Sequence, residues 1–565
     1  MIAVQTRWKA LAALALCGLS VFGCSAERSE LPPGVLVITE GEQTAAFIRN
    51  FNPLAEVGDV RWAATRAIYE PMMIFEPIEG EWLPWLATGS AWNEDATQVS
   101  FTLREGVKWS DGEAFDADDV RFTFELLRET PALDLRGVWS HIEAIEVRGS
   151  HEIAFTFAAP HVPGFSDLAH QPIVAEHVWS KVEDPISFAN EEPVGTGPFT
   201  EVRTFQTQVY ELGKNPHYWQ PGRPAVDAIR FPAFASNDQA SLALVRGEID
   251  WAGYFVPVID RTFVARNPEH HHYWFPLLDG TVFLYANTEL EPYDDVAVRK
   301  AISRAIDREM VVKVAMHGYT RPADATGLSD AYARWRDPEV AKGDWVKHDP
   351  DKAGAALDAA GLVRGSDGWR TLPDGSRWRP QINVPAGFSD WVRAGQVMAA
   401  NLQAVGIDAR LKTYDFGAWF DKLQRGDFGL SLGWTEVDPT PYGFYRNMMS
   451  PATVVPLEES APVNWHRYGS AEAEAALADM ASVADEDRQR ALVVRLQQIF
   501  SEEAPAIPLF PGPLWAEFNT ERFTGFPTRE NAYASPSPNA IPQALLVLTR
   551  VEPRGSSTAQ PEPRP

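Results

Sequence analysis

Between Gln381 and Thr413 the hydrophobic period of the chain changes twice. Ile382 and Val384 alternate with polar neighbours, which is a strand pattern. Val397, Met398, Leu402 and Val405 then recur at helical spacing, Gly406 stops the helix, and Ile407, Ala409 and Leu411 alternate again. Strand, helix and strand joined this closely form a βαβ unit. Its two strands must lie parallel, because an intervening helix carries the chain back to the start of the sheet. The fold class is therefore α/β.

The other periodic segments agree. Val99, Phe101 and Leu103 alternate as a half-buried strand, and Asp111-Gly112 marks a turn. Asp116 is placed to cap a helix with acidic residues in its first turn, an apolar stripe of Val120, Phe124 and Leu127, and Pro131 as its stop. A second helix is expected from about Asp295 to Val312, with Ala301, Ile302, Ala305, Ile306 and Met310 on one face. A late helix carries Leu492, Leu496 and Ile499. No repeat with a period of about 20–50 residues is present. At 565 residues the chain exceeds a single ordinary core, and two to four domains are expected. The formal net charge of −27 argues against nucleic acid and anionic membrane surfaces as partners, since both select cationic proteins. The 20 tryptophans exceed what packing usually needs, and flat aromatic faces suit a ligand cleft.

The N-terminus reads as a targeting segment. Arg7 and Lys9 precede an apolar run from Ala10 to Gly23, too short for a stable membrane span but suited to a signal peptide at 1–23. Val21-Phe22-Gly23-Cys24 resembles a bacterial lipobox, which implies lipidation of Cys24 and a tether over 24–34; ordinary secretion with cleavage near Ala26 is the alternative. Two or more acyl chains hold a protein stably on a membrane. The only other cysteine, Cys17, leaves with the signal, so no internal disulfide is expected. The Pro-, Ser- and Arg-rich end is expected to be a disordered tail over 549–565.

Several ordered segments carry a family resemblance. They include Asn52-Pro53-Leu54, Phe101 to Gly112 (FTLREGVKWSDG), Pro193 to Phe199 (PVGTGPF), Lys214 to Trp219 (KNPHYW), Gly247-Glu248-Ile249-Asp250, and Arg299 to Arg308 (RKAISRAIDR). In this order the chain resembles the family 5 extracellular solute-binding proteins, which include the dipeptide and oligopeptide receptors of ABC importers. The resemblance implies a bilobed, type II periplasmic-binding-protein fold with an inserted domain, closing on ligand by hinge motion. On that layout the first lobe combines 35–65, 190–275 and 500–548, the inserted domain spans 66–189, and the second lobe spans 276–499. It also implies ABC importer permease subunits as partners, a monomeric chain, and no cofactor, metal or catalytic activity. Gly195 and Gly197 then belong to an interdomain crossing, and Trp109, Tyr218 and Trp219 to packing.

The ligand is read from finer segments. Peptide receptors of the family hold the ligand's amino group with an Asp after Gly-Trp; here Gly433-Trp434 leads into Glu436 and Asp438 in a shortened loop. Gly387 to Trp391 (GFSDW), Pro439 to Tyr442 (PTPY) and Phe510 to Thr520 (FPGPLWAEFNT) look like the branch that binds β-linked gluco- or chito-oligosaccharides. A β-linked pyranose has two flat C–H faces and a rim of hydroxyls, which call for aromatic faces and polar partners respectively. Trp391 and Trp515 are the expected stacking pair, Trp434 a third platform, and Asn464 and Arg446 the expected hydroxyl partners. Core packing is the alternative for each tryptophan. A glycoside-processing enzyme would need two carboxylates flanking a bond, and Asp118-Asp119 sits instead at a helix start. His270-His271-His272 is expected to be an exposed loop, not a metal site.

Overall fold

The computed structural model describes residues 33–39, 44–55 and 60–555. The expected signal peptide, Cys24 and residues 24–32 of the tether lie outside the described residues, as do 556–565. Among the described residues no helix is long and apolar enough to cross a membrane.

A five-stranded mixed sheet forms the centre of the second lobe. Its order across the sheet is Arg410–Tyr414, Gln381–Pro385, Leu430–Gly433, Thr281–Ala286, Ile507–Pro511. Gln381–Pro385 pairs parallel with Arg410–Tyr414, and helix Ser389–Ala404 lies between them in sequence, as the alternating pattern requires. Met398, Leu402 and Val405 of its stripe are buried, and Gly406 takes the positive φ of 90° that ends the helix. The long helix expected from 295 to 312 is two helices, Val296–Ala305 and Arg308–Val314. Ile306 is extended, and Asp307 caps the second helix by accepting from the Met310 amide. The break turns Met310 away from the core, leaving it 43% exposed.

The first lobe is built on two small sheets. One orders Val35–Val37, Ala228–Pro232, Val209–Lys214 and Phe199–Gln206; the other orders Trp251–Ala252, Glu517–Asn519 and His271–Tyr273. The histidine run is thus not an exposed loop. His271 is buried in a strand, its ring stacked on Phe263 at 4.1 Å and its Nδ1 3.0 Å from the Phe263 carbonyl. Residues 87–157 carry a four-stranded antiparallel sheet and helix Ala117–Glu129. Asp116 and Asp119 close a capping box on that helix, and Trp109 Nε1 donates to Asp119 at 3.0 Å. The expected tail begins later than residue 549, because Glu552–Pro553 pairs with Phe523–Thr524.

Two extended segments join the lobes. His271–Tyr273 pairs with Glu517–Asn519 in the first lobe, and Thr281–Ala286 pairs with Ile507–Pro511 in the second. Between them the ladder continues: Trp274 N–H donates to Ala516 O (3.0 Å), Leu514 N–H to Pro276 O (2.8 Å) and Gly512 N–H to Gly280 O (2.8 Å). The paired segments therefore run through residues 271–286 on one side and 507–519 on the other.

Glu70 ties the root of the inserted domain to the first lobe. Its buried carboxylate accepts from Trp85 Nε1 (2.7 Å), Tyr218 OH (3.1 Å) and Trp219 Nε1 (3.2 Å). Beside it, Gly195 and Gly197 lie so close to the Ile68 and Ala67 carbonyls that a Cβ would fall 2.1 and 2.3 Å from them. Burial raises Glu70 from 4.5 to about 7, and its hydrogen bonds only partly oppose this. A raised carboxyl binds its proton more tightly in the folded state, so stability falls as pH rises from 4.5 through 7. The expected loss is about 3 kcal/mol over that window. Glu70→Gln should make the fall shallower by that amount; thermal melts of both proteins from pH 4.5 to 8 check this, and parallel profiles would refute it.

Candidate functional site

One edge of the five-stranded sheet gathers the aromatic residues. The three parallel strands all end there, Thr281–Ala286 begins there, and Ile507–Pro511 ends there. Phe388 and Trp391 follow the first of these strands, Phe416 and Phe420 the next, and Trp434 to Asp438 follow Leu430–Gly433. The chain passes from Gln381–Pro385 to Arg410–Tyr414 on one side and returns from there across it to Leu430–Gly433 on the other, so a crevice opens between Gln381–Pro385 and Leu430–Gly433 at their carboxyl ends.

Trp391 and Trp434 flank that crevice, ring centroids 6.1 Å apart. Trp391 is only 6% exposed and stands edge-on to Phe388 and Trp419. Trp434 is half-buried and belongs to a set of near-parallel rings. Its plane lies within 2° of Phe420 at 5.8 Å and within 12° of Phe416 at 6.4 Å. Trp465 meets both Phe420 and Trp434 edge-on and braces them. Three rings sharing one orientation make a platform for a flat apolar face. Phe416 and Phe420 were not anticipated from sequence; their i,i+4 spacing on helix Phe416–Arg425 is the signal that marks them.

Trp515 lies on the interlobe ribbon in a separate cluster. Phe255, Phe275 and Tyr319 each meet it edge-on, at 5.6, 4.8 and 6.0 Å. Its ring contacts and those of Trp391 share no member.

The polar candidates divide. Arg446, on helix Pro441–Met449, faces the inserted domain beside Gly137. There Arg136 pairs with Asp167 at 3.7 Å, and Asp438 adds its charge from the loop after Trp434. Burial pushes Asp167 up to about 7, with Arg136 pulling the other way. Burial likewise raises Asp438, opposed by Arg136 and reinforced by Glu436. Mixed charges of this kind can bind hydroxyls or charged ligand ends. Among the described residues no group of three or more His, Cys, Asp or Glu is placed to hold a metal.

Asn464 is not available as a hydroxyl partner. It is 4% exposed, and its side chain is spent on its own loop. Nδ2 donates to Thr453 Oγ1 (2.9 Å) and Tyr468 O (2.7 Å), while Oδ1 accepts from Tyr468 N–H (3.0 Å). Its φ of 51° lies in the left-handed region, which costs Ala more than Asn. Asn464→Ala should cost about 2–4 kcal/mol in urea unfolding, from unmade hydrogen bonds plus backbone strain. Asn464→Gly, free of the strain, should cost less; equal losses would refute the backbone contribution.

The likeness to known proteins is clear on this geometry. Residues 81–454 match the family model for bacterial extracellular solute-binding proteins, family 5 middle region. The chain is 25% identical over 542 residues to di/tripeptide-binding protein 2 of Pseudomonas aeruginosa, covering 90% of this chain and 95% of that one. It is 27% identical over 458 residues to a glutathione-binding protein of Salmonella paratyphi A, covering 78% and 82%. A mannohexaose-bound periplasmic oligopeptide-binding protein of an ABC transporter from Thermotoga maritima superposes with a TM-score of 0.86 at 26% identity, over 93% of this chain and 99% of that one. With its two lobes, its ribbon crossing and this match, the chain has the type II periplasmic-binding-protein fold and belongs to the family 5 bacterial extracellular solute-binding proteins.

Proposed function

We propose that this solute-binding protein of an ABC importer captures a β-linked oligosaccharide, cellobiose- or chitobiose-like, in the crevice between its lobes. The observation that carries the reading is the platform of Trp434, Phe420 and Phe416, whose shared orientation suits successive pyranose faces. Arg446 and Asp438 supply polar groups at one side of it, and Trp515 lies on the ribbon about which the lobes close. The mannohexaose-bound relative supports an oligosaccharide as a ligand this fold accommodates. The second reading is a peptide, favoured by Glu436 and Asp438 in the loop after Trp434 and by the di/tripeptide-binding relative.

Calorimetric titration with cellobiose, chitobiose and a dipeptide–tripeptide pool separates the two. Stoichiometric sugar binding is expected, weakened about 30- to 100-fold by Trp434→Ala, which removes both area burial and stacking. Peptide binding without sugar binding would move the assignment to the second reading, and release of monosaccharide product would point to an enzyme instead.

The chain is further proposed to sit outside the cytoplasm on a lipid anchor at Cys24. Cys24→Ala should shift the protein from the membrane fraction to the soluble fraction on cell fractionation; unchanged membrane association would refute the anchor.

A further inference from the structure

Beside the ribbon, the two lobes meet at a second place. Helix Asn237–Val245 belongs to the first lobe, where Ala240, Ala243 and Leu244 pack with Ile249, Tyr254 and Ile259. Helix Ser389–Ala404 belongs to the second lobe, in a separate core with Met398 and Leu402. The first residue of one helix is hydrogen-bonded to the turn and first turn that open the other. Asn237 N–H donates to Gly387 O at 3.0 Å, and Asn237 Nδ2 donates to Asp390 Oδ1 at 3.3 Å. Asn237 is 3% exposed and Asp390 4%.

We propose that Asn237, Asp390 and the Gly387 carbonyl form a latch that holds the lobes in the closed arrangement. Each lobe supplies only half of the interaction, so separating the lobes breaks both bonds. Breaking them is not neutral, because Asp390 is held ready for its partner by its own helix. Burial raises its carboxyl to about 6, opposed by its own and the Trp391 amide, by Arg393 and by Asn237, so losing Asn237 leaves it with one partner fewer. Asn237 suits the other half: its backbone amide is the free first donor of a helix that Ser236 caps, and its side-chain amide adds a second donor on the same side. The neighbouring residue, Trp391, flanks the crevice, so the latch fixes the helix turn that carries it. Arg393, one turn on, reinforces the contact from the side. Its guanidinium lies 5.9 Å over the Phe255 ring of the first lobe. The latch depends on the two-lobed fold and not on which ligand is bound, so its failure would leave the sugar reading untouched.

The test is single-molecule energy transfer between dyes placed one on each lobe. From Ser25 onward the chain has no cysteine, so Glu248→Cys and Ala418→Cys, both at exposed positions, give unique attachment sites. The closed arrangement has the transfer efficiency set by this structure. Asn237→Ala and Asp390→Ala are each expected to lower the closed-to-open ratio about tenfold, with no further loss on combining them. Asp390→Asn should keep the ratio, because an amide oxygen still accepts from Asn237. If Asn237→Ala fails to fold, Asn237→Asp takes its place: it sets carboxylate against carboxylate and should open the lobes. The proposal is overturned if a folded Asn237 or Asp390→Ala variant keeps the wild-type ratio, if Asp390→Asn falls as far as Asp390→Ala, or if the wild type shows no closed population.

Discussion

The interaction on which the arrangement depends is the backbone ladder between residues 271–286 and 507–519. One continuous two-stranded ribbon begins in the first-lobe sheet, crosses the gap and ends in the second-lobe sheet. A ribbon bends more readily than a packed core slides, so the lobes can swing while each stays intact. Glycine sets its path. A Cβ at Gly280 would lie 1.6 Å from the Thr435 carbonyl, and one at Gly512 would lie 2.6 Å from the Gly280 carbonyl. The loop after Trp434 therefore rests directly on the ribbon, held by Thr435 N–H to Thr281 O at 3.2 Å.

The sheet edge explains why residues scattered from 279 to 438 converge. A strand delivers its last residues to one rim, and three parallel strands deliver to the same rim. Thr281–Ala286 and Ile507–Pro511 run antiparallel to each other, so the ribbon enters and leaves at that rim as well. The aromatic platform and the hinge are adjacent for topological reasons. The inserted domain then closes the remaining side, with Arg136 and Asp167 facing Asp438 and Arg446.

Much of the architecture was legible in the sequence because it rests on local periodicity. The βαβ unit of 381–414 and the Asp116 cap are read from side-chain spacing that the fold leaves intact. What escaped was set by long-range contact. The break between Ala305 and Arg308 follows a continuous apolar stripe, and only the Asp307 cap and the packing of Arg308 reveal it. Arg308 sits buried among the Pro508, Ser303 and Val346 carbonyls, a role no spacing rule shows. The histidine strand is decided by its partner at 517–519, far along the chain. In the site, Trp391, Trp434 and Trp515 are the expected stacking residues, but which rings lie near-parallel depends on neighbouring turns, and Trp434 aligns with Phe416 and Phe420. Asn464 looked like a free amide beside Trp465 and is instead the staple of its own loop.

The charge of the chain bears on what this rim selects. At −27 overall, the protein repels anions at long range, and Glu436 and Asp438 stand at the loop beside the platform. A neutral polyol is indifferent to that field, because its affinity comes from ring contact and from hydroxyls satisfied at short range. A zwitterionic peptide meets attraction at its amino end and repulsion at its carboxylate, and needs a cation placed to balance the latter. Arg136 and Arg446 are the cations at this rim, and both are surrounded by carboxylates: Asp167 and Asp438 for Arg136, Asp134 and Asp167 for Arg446. A guanidinium already shared among protein carboxylates has little left to offer a ligand's carboxylate, whereas its remaining N–H groups still serve neutral hydroxyls.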